Sequence, residues 1–243
     1  AGQGPGGSNR SRGEPPLTRR YVVTVDGPAG SGKSTVSRLL ARELAYVYLD
    51  TGALYRAVAL KVSRSGLAAG DRAGIAALCG ETTVTIAGLD GVTRVLLDGA
   101  DVTELLRTPE ISMLASAVSA VPEVRQRLLA VQREAALTGG IVAEGRDMGT
   151  VVFPGADVKF FLTAGPEERG RRRWLELRER GHEAGLGEVI EDVVRRDHQD
   201  SEREIAPLRP AEDGIVIDST GKTVEQVVDE MLRAIKDKEN RVL

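Results

Sequence analysis

Apolar and polar positions alternate along this chain in short runs, and the changes of period mark its elements. Residues 21–25 (YVVTV) form a nearly unbroken β-branched run, which predicts a strand buried on both faces. A 3.6-residue stripe follows, with Val36, Leu39, Leu40 and Leu44 on one side of a helix opening at Lys33. Residues 46–49 (YVYL) predict the next strand, and Asp50-Thr51-Gly52 leads into a helix through Ala57, Val58, Leu60 and Val62. The rhythm then changes. TTVTIAG (82–88) and TRVLLDG (93–99) flank Leu89-Asp90-Gly91, a hairpin signal, and Asp98-Gly99 adds a second turn. Helical stretches are expected at 109–119 and 122–137, the second with Pro122 in its first turn and Gly139-Gly140 at its stop. Strands are expected at 141–144 (IVAE), 157–162 (DVKFFL) and 214–218 (GIVID). Two charged helices, about 166–180 and 187–203, separate the last two strands. A helix at 223–237, apolar along Val224, Val227, Val228, Met231, Leu232 and Ile235, closes the pattern.

Strands alternating with helices predict an α/β fold with a central parallel sheet between helical layers. The 243 residues, 41% apolar and 28% charged, suit one compact domain with an inserted lobe. Residues 1–20, rich in Gly, Pro, Ser and Arg, are expected to be a flexible tail, and residues 21–243 one domain. Its core would comprise 21–64, 108–165 and 204–243, with a small antiparallel lobe at about 65–107 and a helical lid at about 166–203. Formal net charge is −3, so no global basic field recruits nucleic acid or an anionic membrane. The single Cys79 excludes an internal disulfide framework and fits a reducing, cytoplasmic setting. No apolar run approaches the roughly 18 residues of a spanning helix. A monomer acting on small molecules is expected.

The residues 27–34, Gly27-Pro28-Ala29-Gly30-Ser31-Gly32-Lys33-Ser34, satisfy G-x-x-x-x-G-K-[ST] between a strand and a helix, the context a phosphate-binding loop requires. Glycines let backbone N–H groups turn around an anion, and the helix N-terminus adds partial positive charge. Lys33 can reach the β- and γ-phosphates of a triphosphate, the Ser34 hydroxyl can ligate Mg²⁺, and Thr35 completes the cradle. ATP and Mg²⁺ are therefore expected. A guanine-reading switch would need an Asn-Lys-x-Asp segment, but the only asparagines are Asn9 and Asn240. A motor would need further coupling domains. A small-molecule kinase needs an acceptor-phosphate site facing the loop and cations for the transferring phosphoryl. Arg56 lies one turn into the helix after Asp50-Thr51-Gly52. The stretch AEGRDMG sets Glu144, Arg146 and Asp147 at a strand end, where α/β folds bind ligands. Arg196, Asp200 and Arg203 recur at i, i+4 and i+7, one face of a helix. The run PEERGRRRW, with Arg169, Arg171, Arg172 and Arg173, holds more cation than pairs such as Glu167–Arg171 neutralise, and reads as an arginine lid.

Six segments together resemble the bacterial cytidylate kinases: DGPAGSGKST (26–35), LDTGALYR (49–56), EGRDMGTVVFP (144–154), EERGRRR (167–173), RDHQDSEREIAPL (196–208) and VIDST (216–220). The resemblance covers about residues 21–237 and includes the insert on the monophosphate side. It implies a P-loop kinase fold and transfer of the ATP γ-phosphoryl to CMP or dCMP. It implies that Lys33, Arg146, Arg203, Arg169, Arg172 and Arg173 serve the transfer. By the same resemblance Thr51, Arg56, Arg146 and Arg203 sit at the acceptor phosphate side, Ser116, Arg125 and Asp147 read the cytosine, and Arg196 and Asp200 face the sugar. Cytosine offers an N4 donor beside an N3 acceptor, which an acid paired with an arginine satisfies; uracil reverses that polarity. Two alternatives stay open at this stage, a broader pyrimidine monophosphate kinase and a nucleotide-binding protein without transfer activity. His182 and His198 receive no role, and Glu144 is left without a firm one.

Overall fold

The computed structural model describes residues 19–89 and 92–242. The stretch 1–18 of the expected tail and the turn residues Asp90 and Gly91 lie outside the described residues. Arg19 and Arg20, placed in the expected tail, are among the described residues: Arg19 pairs with Asp157 at 3.0 Å, and its carbonyl accepts from the Tyr46 hydroxyl at 3.1 Å.

The chain runs β1 (Val22–Asp26), α1 (Lys33–Leu44), β2 (Val47–Asp50), α2 (Thr51–Ser65) and α3 (Arg72–Gly80). Next come β3 (Val84–Leu89), β4 (Val92–Leu97), β5 (Ala100–Asp101) and a 3₁₀ turn at Thr103–Leu106. Helices α4 (Pro109–Val118) and α5 (Pro122–Ala135) lead to β6 (Ile141–Gly145) and a π-turn at Met148–Val152. Then follow β7 (Val158–Thr163), α6 (Pro166–Glu179), α7 (Leu186–Glu202), β8 (Ile215–Asp218) and α8 (Val224–Val242). No helix among the described residues is long and apolar enough to cross a membrane.

Strands β2-β6-β1-β7-β8, in that order, form a five-stranded parallel sheet, and β3-β4-β5 form a separate antiparallel sheet. Strand β1 is central and buried on both faces, with Val23 and Val25 fully enclosed, as its unbroken apolar run requires. Its last residue, Asp26, stands opposite Gly145 of β6, so the loop after β1 and the loop after β6 share one sheet edge. The hydrophobic residues gather in two large clusters. One joins β1 and β7 to α1 and α8; the other joins α2 to α3, α4, α5 and the antiparallel sheet. A smaller cluster around Leu49, Ala143 and Met148 lies on β2, β6 and the π-turn.

The stretch expected to form only an antiparallel lobe also contains helix α3. Asp71 caps it by accepting from Gly74 N at 2.9 Å, and only Ile75 and Cys79, one turn apart, are buried. Helix α7 stops at Glu202, and Arg203 is extended, so Arg203 leaves the helical face shared by Arg196 and Asp200.

Candidate active site

The loop between β1 and α1 is built by close backbone approach. Gly27 has φ +147°, and a Cβ there would run into the Leu162 carbonyl oxygen. Lys33 is buried and its ammonium folds back onto the loop, donating to Pro28 O at 2.6 Å and Ser31 Oγ at 3.3 Å. Burial, and next the Arg146 charge, holds its pKa well below the ordinary lysine value, with Glu144 acting in the opposite sense. A phosphate in the loop would relieve that penalty.

The neighbouring strand end is held by Asp26. Its two carboxylate oxygens accept from Met148 N and Gly149 N, each at 2.8 Å, and so anchor the π-turn that follows Arg146 and Asp147. Burial pushes the Asp26 pKa up to about 6, against the lowering effect of those two bonds. Glu144 is also buried. Its Oε1 accepts from Ser34 Oγ at 2.7 Å and from the Tyr48 hydroxyl at 2.9 Å, and its carbonyl accepts from Thr51 Oγ1 at 2.6 Å. Its Oε2 is buried without a hydrogen-bond partner. Burial, followed by the Asp50 charge, raises the Glu144 pKa, while Lys33 opposes the rise.

On the far side of the cleft three carboxylates orient three arginines. Asp50 caps α2 through Ala53 N at 3.0 Å and binds Arg56 at 2.7 Å. Asp200 receives Arg146 Nε at 2.8 Å. Asp147 and Arg125 form a direct buried ion pair, and the Arg125 guanidinium lies 5.7 Å from the Tyr55 ring centroid. Ser119 joins Arg125 to Arg203: its hydroxyl accepts from Arg203 at 3.4 Å and its carbonyl accepts from Arg125 at 3.4 Å. Ser116 stands beside it, its carbonyl accepting from the Ser119 hydroxyl at 2.8 Å. Arg203 Nε donates to Ala206 O at 2.7 Å, while its Nη2 and Arg196 Nε are buried without partners. Burial and the adjacent Arg146 charge depress the Arg196 pKa to about 10. Excess buried guanidinium of this kind is expensive unless an anion joins it.

One cleft of about 710 Å³ is lined by Ala29–Thr35 of the phosphate loop and, across from it, by Thr51, Arg56, Ser116, Arg125, Arg146, Asp147, Arg196, Asp200 and Arg203. The spacing of the sequence motifs thus becomes a single site. Gly27 and Pro28 shape the loop behind it. Arg172 and Arg173 also line the cleft, and Arg172 donates to Ser219 Oγ at 2.9 Å and to Glu168 at 2.9 Å. Arg173 pairs with Glu176 at 2.8 Å. Glu168, rather than Glu167, pairs with Arg171, because it reaches both Arg171 and Arg172.

Arg169 departs from the expected lid. It lies behind the loop, buried, paired with Asp197 at 2.5 Å and donating to Ala164 O at 2.8 Å and Ala29 O at 3.1 Å. Arg169 and Arg172, three residues apart, share the face of α6 turned to the phosphate loop, where Arg172 donates to Ser31 O at 3.4 Å, but only Arg172 lines the cleft. Asp26, Asp50, Tyr48, Ser119 and Ser219 were not singled out from sequence. Asp50 is the one with a readable signal, since it precedes a helix opening in a capping position.

The cytidylate kinase family model matches residues 23–237. A cytidylate kinase of Geobacter sulfurreducens (strain ATCC 51573 / DSM 12127 / PCA) is 52% identical over 221 residues, covering 91% of this chain and 95% of its own. One from Syntrophotalea carbinolica (strain DSM 2380 / NBRC 103641 / GraBd1) is 50% identical over 223 residues, covering 92% of this chain and 95% of its own. Among solved structures, an uncharacterized protein of Eubacterium ventriosum ATCC 27560 aligns with TM-score 0.50 at 10% identity, over 89% of this chain and 99% of that chain, a likeness of fold alone. With a phosphate loop facing an arginine-lined cleft wall, and a family match across nearly the whole described chain, the protein belongs to the cytidylate kinase family and is a nucleoside monophosphate kinase.

Proposed function

We propose that the protein transfers the γ-phosphoryl group of ATP to CMP and dCMP, giving ADP and the corresponding diphosphate. The observation that carries this reading is the buried Arg125–Asp147 pair in the same cleft as the phosphate loop. Asp147 accepts from the cytosine N4 amine and Arg125 donates to N3 and O2, a complement that uracil reverses. Arg56, Arg146 and Arg203 hold the acceptor phosphate, and Arg196 with Asp200 faces the sugar. An ionised phosphate oxygen is already a nucleophile, so the chain need not abstract a proton. Its residues bring two mutually repelling anions into line, and arginine forks suit that task.

Lys33 turns from Pro28 O to the β- and γ-phosphoryl oxygens. Arg172 and Arg173 close over the transferring group, and Arg169 keeps the loop and α6 together. The donor set for a divalent cation fits Mg²⁺: Ser34 Oγ stands beside a buried Glu144 whose Oε2 lacks a partner, and phosphate oxygens complete such a shell. Held there, Mg²⁺ would supply charge neutralisation for the transferring phosphoryl group. The protein is expected to work as a monomer in the cytoplasm.

A coupled assay of ADP release across CMP, dCMP, UMP, AMP and GMP tests the proposal. CMP and dCMP should exceed UMP by about a hundredfold or more in kcat/KM, because uracil leaves a buried carboxylate facing a carbonyl. Preference for a non-cytidine acceptor, or ATP binding without CMP-dependent turnover, would overturn it.

A further inference from the structure

We propose that Tyr48 is a positioning residue for Glu144, its phenol fixing the buried carboxylate in the one orientation that keeps Oε2 free for the divalent cation's coordination sphere. This rests on the reading of Ser34 and Glu144 as the metal-side pair.

Glu144 occupies the end of β6 opposite Asp50 of β2, and Tyr48 stands two residues earlier on β2, on the same face as Asp50. From there its hydroxyl reaches Glu144 Oε1 at 2.9 Å. The same oxygen accepts from Ser34 at 2.7 Å, so Oε1 is held twice and Oε2 by nothing among the described residues. The two anchors differ in kind. Ser34 opens α1 on the phosphate loop, and its hydroxyl takes on a second duty when nucleotide binds. Tyr48 is independent of the loop: it lies in the sheet, and its carbonyl accepts from Thr93 Oγ1 of β4 at 2.6 Å. The Arg38 guanidinium lies 6.0 Å from its ring centroid. Burial, with Glu144 and Asp50 beside it, pushes the phenol pKa further up from its ordinary value, so the hydroxyl remains a donor.

Without that hydroxyl, Glu144 would keep one anchor and could swing Oε2 toward the buried Lys33 ammonium. Tyr48→Phe deletes only the donor and keeps the ring against Arg38. The test measures Mg²⁺ affinity twice in the full chain. Isothermal titration of Mg²⁺ into protein saturated with a non-hydrolysable ATP analogue gives binding; the half-saturating free Mg²⁺ in turnover gives function. Tyr48→Phe should weaken both about tenfold, the scale of one hydrogen bond to a charged group, and leave KM for CMP within about twofold. Glu144→Gln should weaken both at least as much, and adding Tyr48→Phe to it should cost little more, since the phenol acts through the carboxylate. An effect of Glu144→Gln with Mg²⁺ affinity unmoved by Tyr48→Phe overturns the role of Tyr48 while the metal-side pair stands. No effect of Glu144→Gln overturns both. Equal losses that add fully in the double variant also overturn the positioning role.

Discussion

Asp147 and Arg125 show how tightly a residue's worth depends on its partner. Both are nearly inaccessible, so removing either leaves the other charge buried and unpaired. Arg125→Met or Asp147→Ala alone should lower folding stability by about 3–5 kcal/mol, while the double variant should fall well short of their sum. Urea denaturation of the four proteins measures this; additive losses would mean that the charges do not interact. Asp26 makes a second residue-scale case, with a definite direction in pH. Its folded pKa of about 6 lies above the ordinary aspartate value of 3.8, so between these the folded chain binds the extra proton. Stability attributable to Asp26 is therefore lost as pH rises from about 4 to about 6. Relative to Asp26→Asn, which does not titrate, the wild-type protein should lose about 2 kcal/mol between pH 4 and pH 7. Parallel stability curves for the two proteins would refute this. The cost is tolerated because ionised Asp26 holds Met148 N and Gly149 N. Lys33 and Arg146 were readable in the sequence, since their motifs are local. Asp26 was not, because its partners lie 122 and 123 residues away and are backbone amides that any residue type could supply.

At the scale of elements, the parallel strands were legible because burial on both faces leaves an unbroken apolar run, as in β1. Helix α3 was not: its nine residues include three alanines and two glycines, and its buried face is only Ile75 and Cys79. The crossing of α6 and α7 was equally hidden. It depends on Gly170, where a Cβ would approach the Ile190 backbone Cα to 3.0 Å and meet its side chain closer still. This crossing carries Arg172 and Arg173 on one helix and Arg196 and Asp200 on the other. Gly170→Ala gains up to about 1 kcal/mol of helix propensity and meets an overpacking cost of about 1–3 kcal/mol. A net stability loss of about 1 kcal/mol is expected, together with a raised KM for both nucleotides, because both sets of arginines shift. Thermal unfolding and initial rates check this; a stabilised variant with unchanged KM values would show that the helices separate freely.

On the proposed site assignment, the molecule as a whole divides the reaction between its two large hydrophobic clusters. Val36 of the phosphate-loop helix belongs to the cluster of β1, β7 and α8. Leu54, Ala115 and Val124, on the helices carrying Arg56, Ser116 and Arg125, belong to the cluster around α2, α4 and α5. Strand β6, with Glu144, lies between β2 and β1 in the sheet, and Arg146 and Asp147 follow its end. A net charge of −3 conceals this arrangement, since the arginines of the cleft are offset by acids elsewhere on the surface and by the carboxylates that orient them. Donor and acceptor should therefore order different parts of the chain. In amide hydrogen exchange, an ATP analogue with Mg²⁺ should slow the phosphate loop and the start of α1 while leaving α4 as in the free protein. CMP should slow α4 and the start of α2, where Ser116, Ser119 and Arg56 stand. A bisubstrate ligand joining the two nucleosides through a phosphate chain should slow both sets and α6–α7 besides, because it alone spans both clusters in one molecule. Its free energy of stabilisation should match RT ln(1 + [L]/Kd), about 2.7 kcal/mol at a hundredfold excess over Kd. If the ATP analogue by itself slowed α4 as much as CMP does, the two clusters would be one cooperative unit, and the division of labour between them would not hold.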